Sequence, residues 1–264
     1  MTAEEYAEAQ AAISAELVAT VLELSSSYRL PTLTIYDWRF LLELLFPFVY
    51  EARKKSAELG RRFYDSQRKE HHPELPRRDI YLAEYRLDWF TEEMFPARDD
   101  FLETGASEGS LAQVALRAAK AVENGGRRTI LRAVEEDNEV LGWARVATGR
   151  ETCGFCMMLV SRGPAYKSAR GAGLNASDEL AEQLWASGDA AALKELMTRW
   201  HPGCDCKVVP VFDKASWPGR DAYKRALDIW KKETRGYRGK DAMNAFRRAI
   251  ENGDVDVRKM SIAA

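Results

Sequence analysis

Residues 140–148, Val140-Leu-Gly-Trp-Ala-Arg-Val-Ala-Thr148, mark the point at which a helical chain changes character. Apolar residues alternate loosely there, with the period of a strand, and the stretch leads directly into Cys153. A second β-branched run, Lys207-Val-Val-Pro-Val-Phe212, has the same character. Pro210 places it near a sheet edge, because proline gives no N–H to a ladder. Between the two lie a glycine-containing loop, 161–173, and two short helical patterns at about 177–187 and 189–199, which Ser177 and Asp189 can cap. Two strands in an otherwise helical chain predict an α+β fold, mostly α-helical, with a short sheet in one small module at 139–213.

Upstream the pattern is helical almost throughout. Residues 3–27 carry Ile13, Leu17, Val21 and Leu24 near one face, and Thr2 with Glu5 has capping-box spacing. Leu30-Pro31 breaks that helix. A second pattern spans about 34–69, with Phe40, Leu41, Leu44, Leu45 and Phe48 on a broad apolar face, and Pro47 is expected to kink or divide it. The polar stretch 70–78 reads as a linker that leaves His71 and His72 in solvent. Helix returns over 79–95, with Tyr81, Tyr85 and Phe90 as packing candidates and Pro96 at its end. Ser107 or Ser110 caps the next helix, which Asn124-Gly125-Gly126 is expected to stop before another runs to about Asn138. Beyond Pro218 two more helices are expected, about 220–235 and 239–252. The predicted organisation is a region of long N-terminal helices (1–138), the sheet-bearing module (139–213) and a C-terminal helical tail (214–264).

Across 264 residues, 46% hydrophobic and 30% charged side chains suit a globular chain, and a net charge of −2 argues against a chain-wide grip on nucleic acid. The charge is uneven. Residues 213–264 carry 13 Lys/Arg against 8 Asp/Glu, a surplus of five, which leaves −7 on everything before them. Such a tail reads first as a solvated helical surface and second as a hint of an anionic partner. The opening residues MTAEEYAEAQ lack a basic region followed by an apolar one, so no cleaved secretion signal is expected. The most apolar run, 40–50, is interrupted by Glu43 and Pro47 and is too short to span a bilayer.

All four cysteines fall between 153 and 206. Cys153-Gly-Phe-Cys156 has the C-x₂-C spacing that turns two thiolates onto one metal, and His201-Pro-Gly-Cys204-Asp-Cys206 supplies three more donors about 45 residues later. Zn²⁺ takes four ligands in structural sites, so five candidates compete for four places. Cys204 and Cys206 share a face of an extended chain, and the Pro202-Gly203 turn can fold His201 back toward them. The preferred set is Cys153, Cys156, Cys204 and Cys206, with His201 as a hydrogen-bond partner outside it; Cys₃His is the alternative. Three rivals stand beside a structural Zn²⁺. A redox C-x₂-C requires its first cysteine at a helix N-terminus after a strand, and it leaves the second cluster unexplained. Two disulfides, or thiols without metal, are the second rival. A catalytic metal is the third, and neither an H-E-x₂-H nor an H-x-E…P-C-x₂-C pattern is present.

The motif order is recognisable. Cys153-Gly-Phe-Cys156-Met-Met-Leu-Val-Ser-Arg-Gly-Pro-Ala-Tyr, then Trp200-His-Pro-Gly-Cys-Asp-Cys206 and the Pro210-Val-Phe212 exit, resembles the phage Mu F-like minor head proteins, and most nearly those of tailed phages of actinobacteria. The resemblance covers about 143–212. It implies a structural minor capsid protein inside the phage head near the portal, acting in head morphogenesis and possibly leaving with the DNA. Its partners would be portal or major capsid protein, with contact to packaged DNA, in the virion and beforehand in the host cytoplasm. No membrane and no small-molecule substrate are implied. Some family members lack the cysteines, which implies that the metal serves stability rather than the function itself.

Two other classes remain open on the residues. Arg162, Lys167 and Arg170 could touch DNA phosphates, although solvation or local ion pairing explains them as well; the 161–164 turn reads as packing against the metal-bearing loop. An ADP-ribosyltransferase-like enzyme is the other class, but no nucleophile–base or acid–base set can be assembled from the motifs, and no catalysis is expected. The tryptophans, spread along the chain, read mostly as core.

Overall fold

The computed structural model describes residues 1–26, 28, 33–79, 84–148, 152–166 and 200–262. Three long helices form the first half: α1 (Ala3–Ser26), α2 (Ile35–His71) and α5 (Glu108–Glu136). The short helices α3 (Leu87–Met94) and α4 (Arg98–Glu103), joined by one 3₁₀ turn, lie between the last two. Local chemistry explains the starts. Thr2 and Glu5 exchange the two bonds of a capping box, 2.8 and 3.2 Å, and Thr34 does the same with Asp37. Ser107 caps α5 by accepting from the Ser110 amide.

Four expectations are corrected here. Pro47 does not divide α2, which runs as one helix of 37 residues with the ring on its exposed side. Asn124-Gly125-Gly126 does not stop α5. A Cβ on Gly60 would lie 2.7 Å from the Gly126 carbonyl oxygen, and one on Gly125 would lie 2.5 Å from the Arg53 oxygen. The glycines are there because the backbones of α2 and α5 touch, and a serine hydroxyl seals the contact: Ser56 Oγ donates to Gln10 of α1 at 2.6 Å and accepts the Gly126 amide at 3.0 Å. His71 and His72 are not left in solvent. His71 is the last residue of α2 and stacks on Phe212 at 5.4 Å, with His72 at 5.7 Å on the same ring. The helix expected over 79–95 is also shorter, beginning at Leu87; Tyr85 and Phe90 are buried as expected, whereas Tyr81 lies outside the described residues.

The sheet has three antiparallel strands in the order β2-β1-β3, where β1 is Gly142–Val146, β2 is Ala165–Tyr166 and β3 is Lys207–Val211. Gly142 pairs with Val211 and Val146 with Lys207, so Pro210 does sit on an edge strand. The two-residue β2 was not anticipated. Helix α6 (Gly154–Val160) follows β1, and α7 (Arg220–Glu233) and α8 (Gly239–Glu251) pack on it through Met157–Val160, Ala226, Trp230 and Phe246. The charged tail is thus docked by an apolar face. The chain end returns to the sheet, where the Ile262 amide donates to the Ala147 carbonyl at 2.9 Å. The two helical patterns at 177–187 and 189–199 lie outside the described residues.

One apolar core runs across residue 138. Tyr6 of α1, Leu59, Phe63 and Tyr64 of α2, and Ile130 to Val134 of α5 pack with Trp143, Val208, Val209, Val211, Cys156, Cys204 and Cys206. A second core lies within the helices, and a third joins α6 to α7 and α8. Among the described residues, no helix is long and apolar enough to cross a membrane.

Candidate metal centre

The centre is assembled by two segments that the sheet brings side by side. After β1 the chain passes Thr152 and reaches Cys153, the N-cap of α6, whose sulfur accepts the Cys156 amide at 3.4 Å. Cys156 lies one turn further on, buried. Opposite, Gly203 takes a positive φ of 75°, which a tight turn requires of its glycine, and the Cys204 amide closes that turn onto the His201 carbonyl at 3.2 Å. Cys206 then leads straight into β3.

The five donor atoms form two triangles that share the Cys156 sulfur: Cys153, Cys156 and His201 in one, Cys156, Cys204 and Cys206 in the other, with all atoms of each triangle within 4.8 Å of one another. His201 Nε2 lies 3.1 Å from Cys153 Sγ and 3.5 Å from Cys156 Sγ; Cys204 Sγ lies 3.3 Å from Cys156 Sγ and 3.0 Å from Cys206 Sγ. Tetrahedral zinc with bonds of about 2.0–2.3 Å sets donors about 3.5–3.8 Å apart, so the cluster is within a few tenths of an ångström to about 0.8 Å of that spacing along these edges. His201 Nδ1 is 2.8 Å from the Pro202 carbonyl. That contact places a proton on Nδ1 and leaves Nε2 as the atom that faces the sulfurs, donating to the Cys153 thiolate when the imidazole is charged and open to a metal when it is neutral. His201 Nε2 therefore stands beside Cys153 and Cys156, a place that suits either a ligand or the hydrogen-bond partner of one. Soft thiolates with one imidazole are the donor set that suits Zn²⁺. The residues fit such an ion in chemistry, while a tetrahedral set needs at least one further pair to draw together, because no four of the donors lie mutually within 4.8 Å.

The four sulfurs divide into two that favour the thiolate, Cys153 and Cys206, and two that favour the thiol. Hydrogen bonds with Cys153, Cys204 and Cys206 raise Cys156; against the lowering effect of its Cys156 contact, Cys204 is pushed up to about 12 by its Cys206 contact and by burial. Hydrogen bonds from Cys156 and His201 hold the Cys153 thiol at about 4, against the opposing effect of burial, and the same Cys153 contact raises His201 to about 9. Contacts with Cys156 and Cys204 push Cys206 well below the usual thiol range. The Arg145 guanidinium reaches Cys206 Sγ at 3.5 Å and lies over the Trp200 ring, which Arg127 faces at 5.0 Å. Arg127 is fully buried, and it donates to the Cys204 and Cys206 carbonyls at 2.8 and 3.1 Å while pairing with Glu123. A cleft of about 510 Å³ between α1, α5 and the 201–205 loop reaches His201 and Cys204.

Sequence reasoning missed several of these groups. Arg127 and Asp205 carry no signal in a single sequence. The Cys153–His201 contact is a thiol–imidazole pair at a helix N-terminus after a strand, so the structure meets the requirement set above for a reactive cysteine and supplies a nucleophile–base geometry that the motifs had not suggested. Yet neither sulfur of the first pair is isolated, because Cys156 also faces Cys204. Of the residues considered for DNA, Arg162 is held over the Trp230 ring at 4.7 Å, and Lys167 and Arg170 lie outside the described residues. The 161–164 turn packs on α7: a Cβ on Gly163 would lie 2.6 Å from the Tyr223 ring.

Fold and site together define a helical protein whose small antiparallel sheet presents a buried cysteine–histidine cluster. The chain belongs to the VG15 protein family, which it matches over residues 1–231. It is 42% identical to the Gene 15 protein of Mycobacterium phage L5 over an alignment of 294 positions covering 100% of both chains. With the Gene 15 protein of Mycobacterium phage D29 the identity is 39% over 274 positions, covering 96% of this chain and 100% of that one. No solved structure matches. The chain is thus a member of a phage protein family, and the match takes in the N-terminal helices that the motif resemblance left out.

Proposed function

We propose that the chain is a structural minor capsid protein of a tailed phage, of the Mu F-like kind, whose sheet-bearing module is fastened by one Zn²⁺. The convergence of all four cysteines and His201 inside the core, from segments about 45 residues apart, is the observation that carries the metal reading. A bound Zn²⁺ would supply folding free energy directly. Cys153, Cys156, His201, Cys204 and Cys206 would hold it, with Cys156 in any set because both triangles contain it. Full-length similarity to phage gene products and the motif order at 143–212 support the virion assignment. No catalytic step is assigned to the centre: three of the five donors are buried, and the Cys153–His201 pair is accounted for as two ligands.

In this reading the protein lies inside the head near the portal and docks through its helices. Tyr36 and Phe40 of α2 and Trp89 and Phe95 near α3 are exposed, apolar and available to bury area against portal or capsid subunits. Contact with packaged DNA is a second element, favoured by the exposed turn between α7 and α8, where Lys231, Arg235, Arg238 and Lys240 surround an exposed Tyr237. Mass spectrometry of purified virions, with and without DNA, tests the assignment. The chain is expected in DNA-filled heads at low copy number; its absence from virions would overturn the proposal.

A further inference from the structure

Asp205 stands between the two cysteines of the second pair, and its carboxylate turns away from them. Along an extended segment alternate side chains point to opposite sides, so Cys204 and Cys206 face Cys156 while Asp205 faces the chain that leaves β1. There it accepts from Thr148 Oγ1 at 2.7 Å and from Thr152 Oγ1 at 2.6 and 2.8 Å. Thr148 follows the end of β1, and Thr152 immediately precedes Cys153. One carboxylate therefore ties the segment bearing Cys204 and Cys206 directly to the segment bearing Cys153, through groups adjacent to candidate ligands on both sides.

We propose that Asp205 is the positioning residue of the metal centre: through Thr148 and Thr152 it sets the register of the two ligand-bearing segments so that their donors meet at coordination distance. The inference rests on the metal reading above. Asp205 is not one of the converging donors, and both of its oxygens accept from threonine hydroxyls. Short hydroxyl-to-carboxylate bonds are charge-assisted and directional. Arg127 holds the backbone of the same segment through the Cys204 and Cys206 carbonyls. The segment is thereby oriented by its carboxylate on one side and its carbonyls on another, and the sulfurs are presented before any ion arrives. Without the carboxylate, the ion itself has to order the two segments, and that ordering free energy is subtracted from binding. Asp205 acts on the segments rather than on a ligand atom, and groups that orient metal ligands from outside the coordination sphere typically alter affinity by about 10–100-fold.

The test uses the full chain, stripped of metal under reducing conditions and titrated with Co²⁺, whose thiolate charge-transfer and d–d bands report the ligand set. Asp205→Ala is expected to bind Co²⁺ about 10–100-fold more weakly and to show altered d–d bands. Thr152→Val, which keeps the side-chain shape, should lose part of the same affinity, and its effect should not add to that of Asp205→Ala. Asp137→Asn, a substitution in a separate buried network, should leave the Co²⁺ spectrum unchanged. Wild-type affinity and spectrum in both Asp205→Ala and Thr152→Val would overturn the role of Asp205 while leaving the metal centre in place. If wild type binds neither Co²⁺ nor Zn²⁺, the metal reading falls, and the role of Asp205 falls with it. Thr152→Val decides the matter if Asp205→Ala does not fold.

Discussion

The 201–206 loop and the Gly125-Gly126 crossing are joined by one side chain, Arg127, yet their sequences speak with different clarity. The loop consists of residue types that few other roles require, at the spacing of metal ligands, so a metal reading of it suggests itself without a structure. The crossing consists of glycines, whose lack of a side chain serves two opposite ends. A glycine pair can end a helix, or it can let a second helix touch its backbone. Only the partner decides, and the partner, Gly60, lies 66 residues away from Gly126. Chemistry that depends on what a residue has is legible locally, whereas packing that depends on what it lacks is not.

Arg127 is where the two regions can be pulled apart most forcefully. Arg127→Ala removes a buried cation that faces Glu123 and both ligand carbonyls. Losing one partner of a buried pair costs up to about 3–5 kcal/mol, less here because Lys207 also pairs with Glu123 at 3.2 Å; denaturant unfolding should show the loss, together with weaker metal retention. Loss of stability without any change in metal retention would mean that α5 and the loop are energetically separate. By the same logic a chain truncated before Val140 should not keep its metal, because the core that buries Cys156, Cys204 and Cys206 includes α1, α2 and α5. That outcome differs from what a self-contained module at 139–213 would show.

The crossing gives the next largest effect. Gly126→Ala places a methyl 2.9 Å from both the Ser56 oxygen and the Tyr6 hydroxyl. Overpacking of this kind costs about 1–3 kcal/mol, and a lowered denaturation midpoint at unchanged slope would record it.

A pH titration separates the metal cluster from the polar network at the far end of α5. There Asp137 accepts from Tyr64 and Arg68, both at 2.7 Å, and from Arg78 at 3.3 Å. Burial works against its ionisation, but these bonds outweigh that effect and hold its carboxyl at about 2, below the ordinary 3.8. A depressed value means stability that is present above the ordinary pKa and lost as pH falls through the native one. Asp137→Asn should therefore be less stable than wild type at pH 7, with the gap closing between about pH 4 and pH 2. A gap independent of pH would remove the carboxylate charge from the explanation.

The smallest effect has the opposite sign. Gly109 also lies in α5, but a Cβ there would meet nothing nearer than 3.9 Å. Gly109→Ala should stabilise the chain by up to about 1 kcal/mol through helix propensity alone. A loss at Gly126 and a gain at Gly109 within one helix would establish that contact, not helix formation, explains the central glycines.

Much of the fold was legible for the same reason that the cysteines were. Thr2 with Glu5, Ser107, and the β-branched runs at β1 and β3 declare themselves through local bonding and period. The two-residue β2 has no period to detect. His71 and His72 look like linker residues until Phe212 arrives from the far end of the module to cover them. Asp205 and Arg127 carry no signal in the sequence, because the threonines and carbonyls that engage them are supplied only by the folded chain.

The central claim is that the cysteine–histidine cluster is a metal staple. Elemental analysis of the full chain, purified without chelator, combined with thermal unfolding before and after chelation, tests it most directly. The account predicts about one Zn²⁺ per chain and a clear fall in the unfolding temperature when the ion is withdrawn, with the 201–206 loop losing hydrogen-exchange protection first. Four titratable thiols, no zinc and an unfolding temperature indifferent to chelator would contradict it.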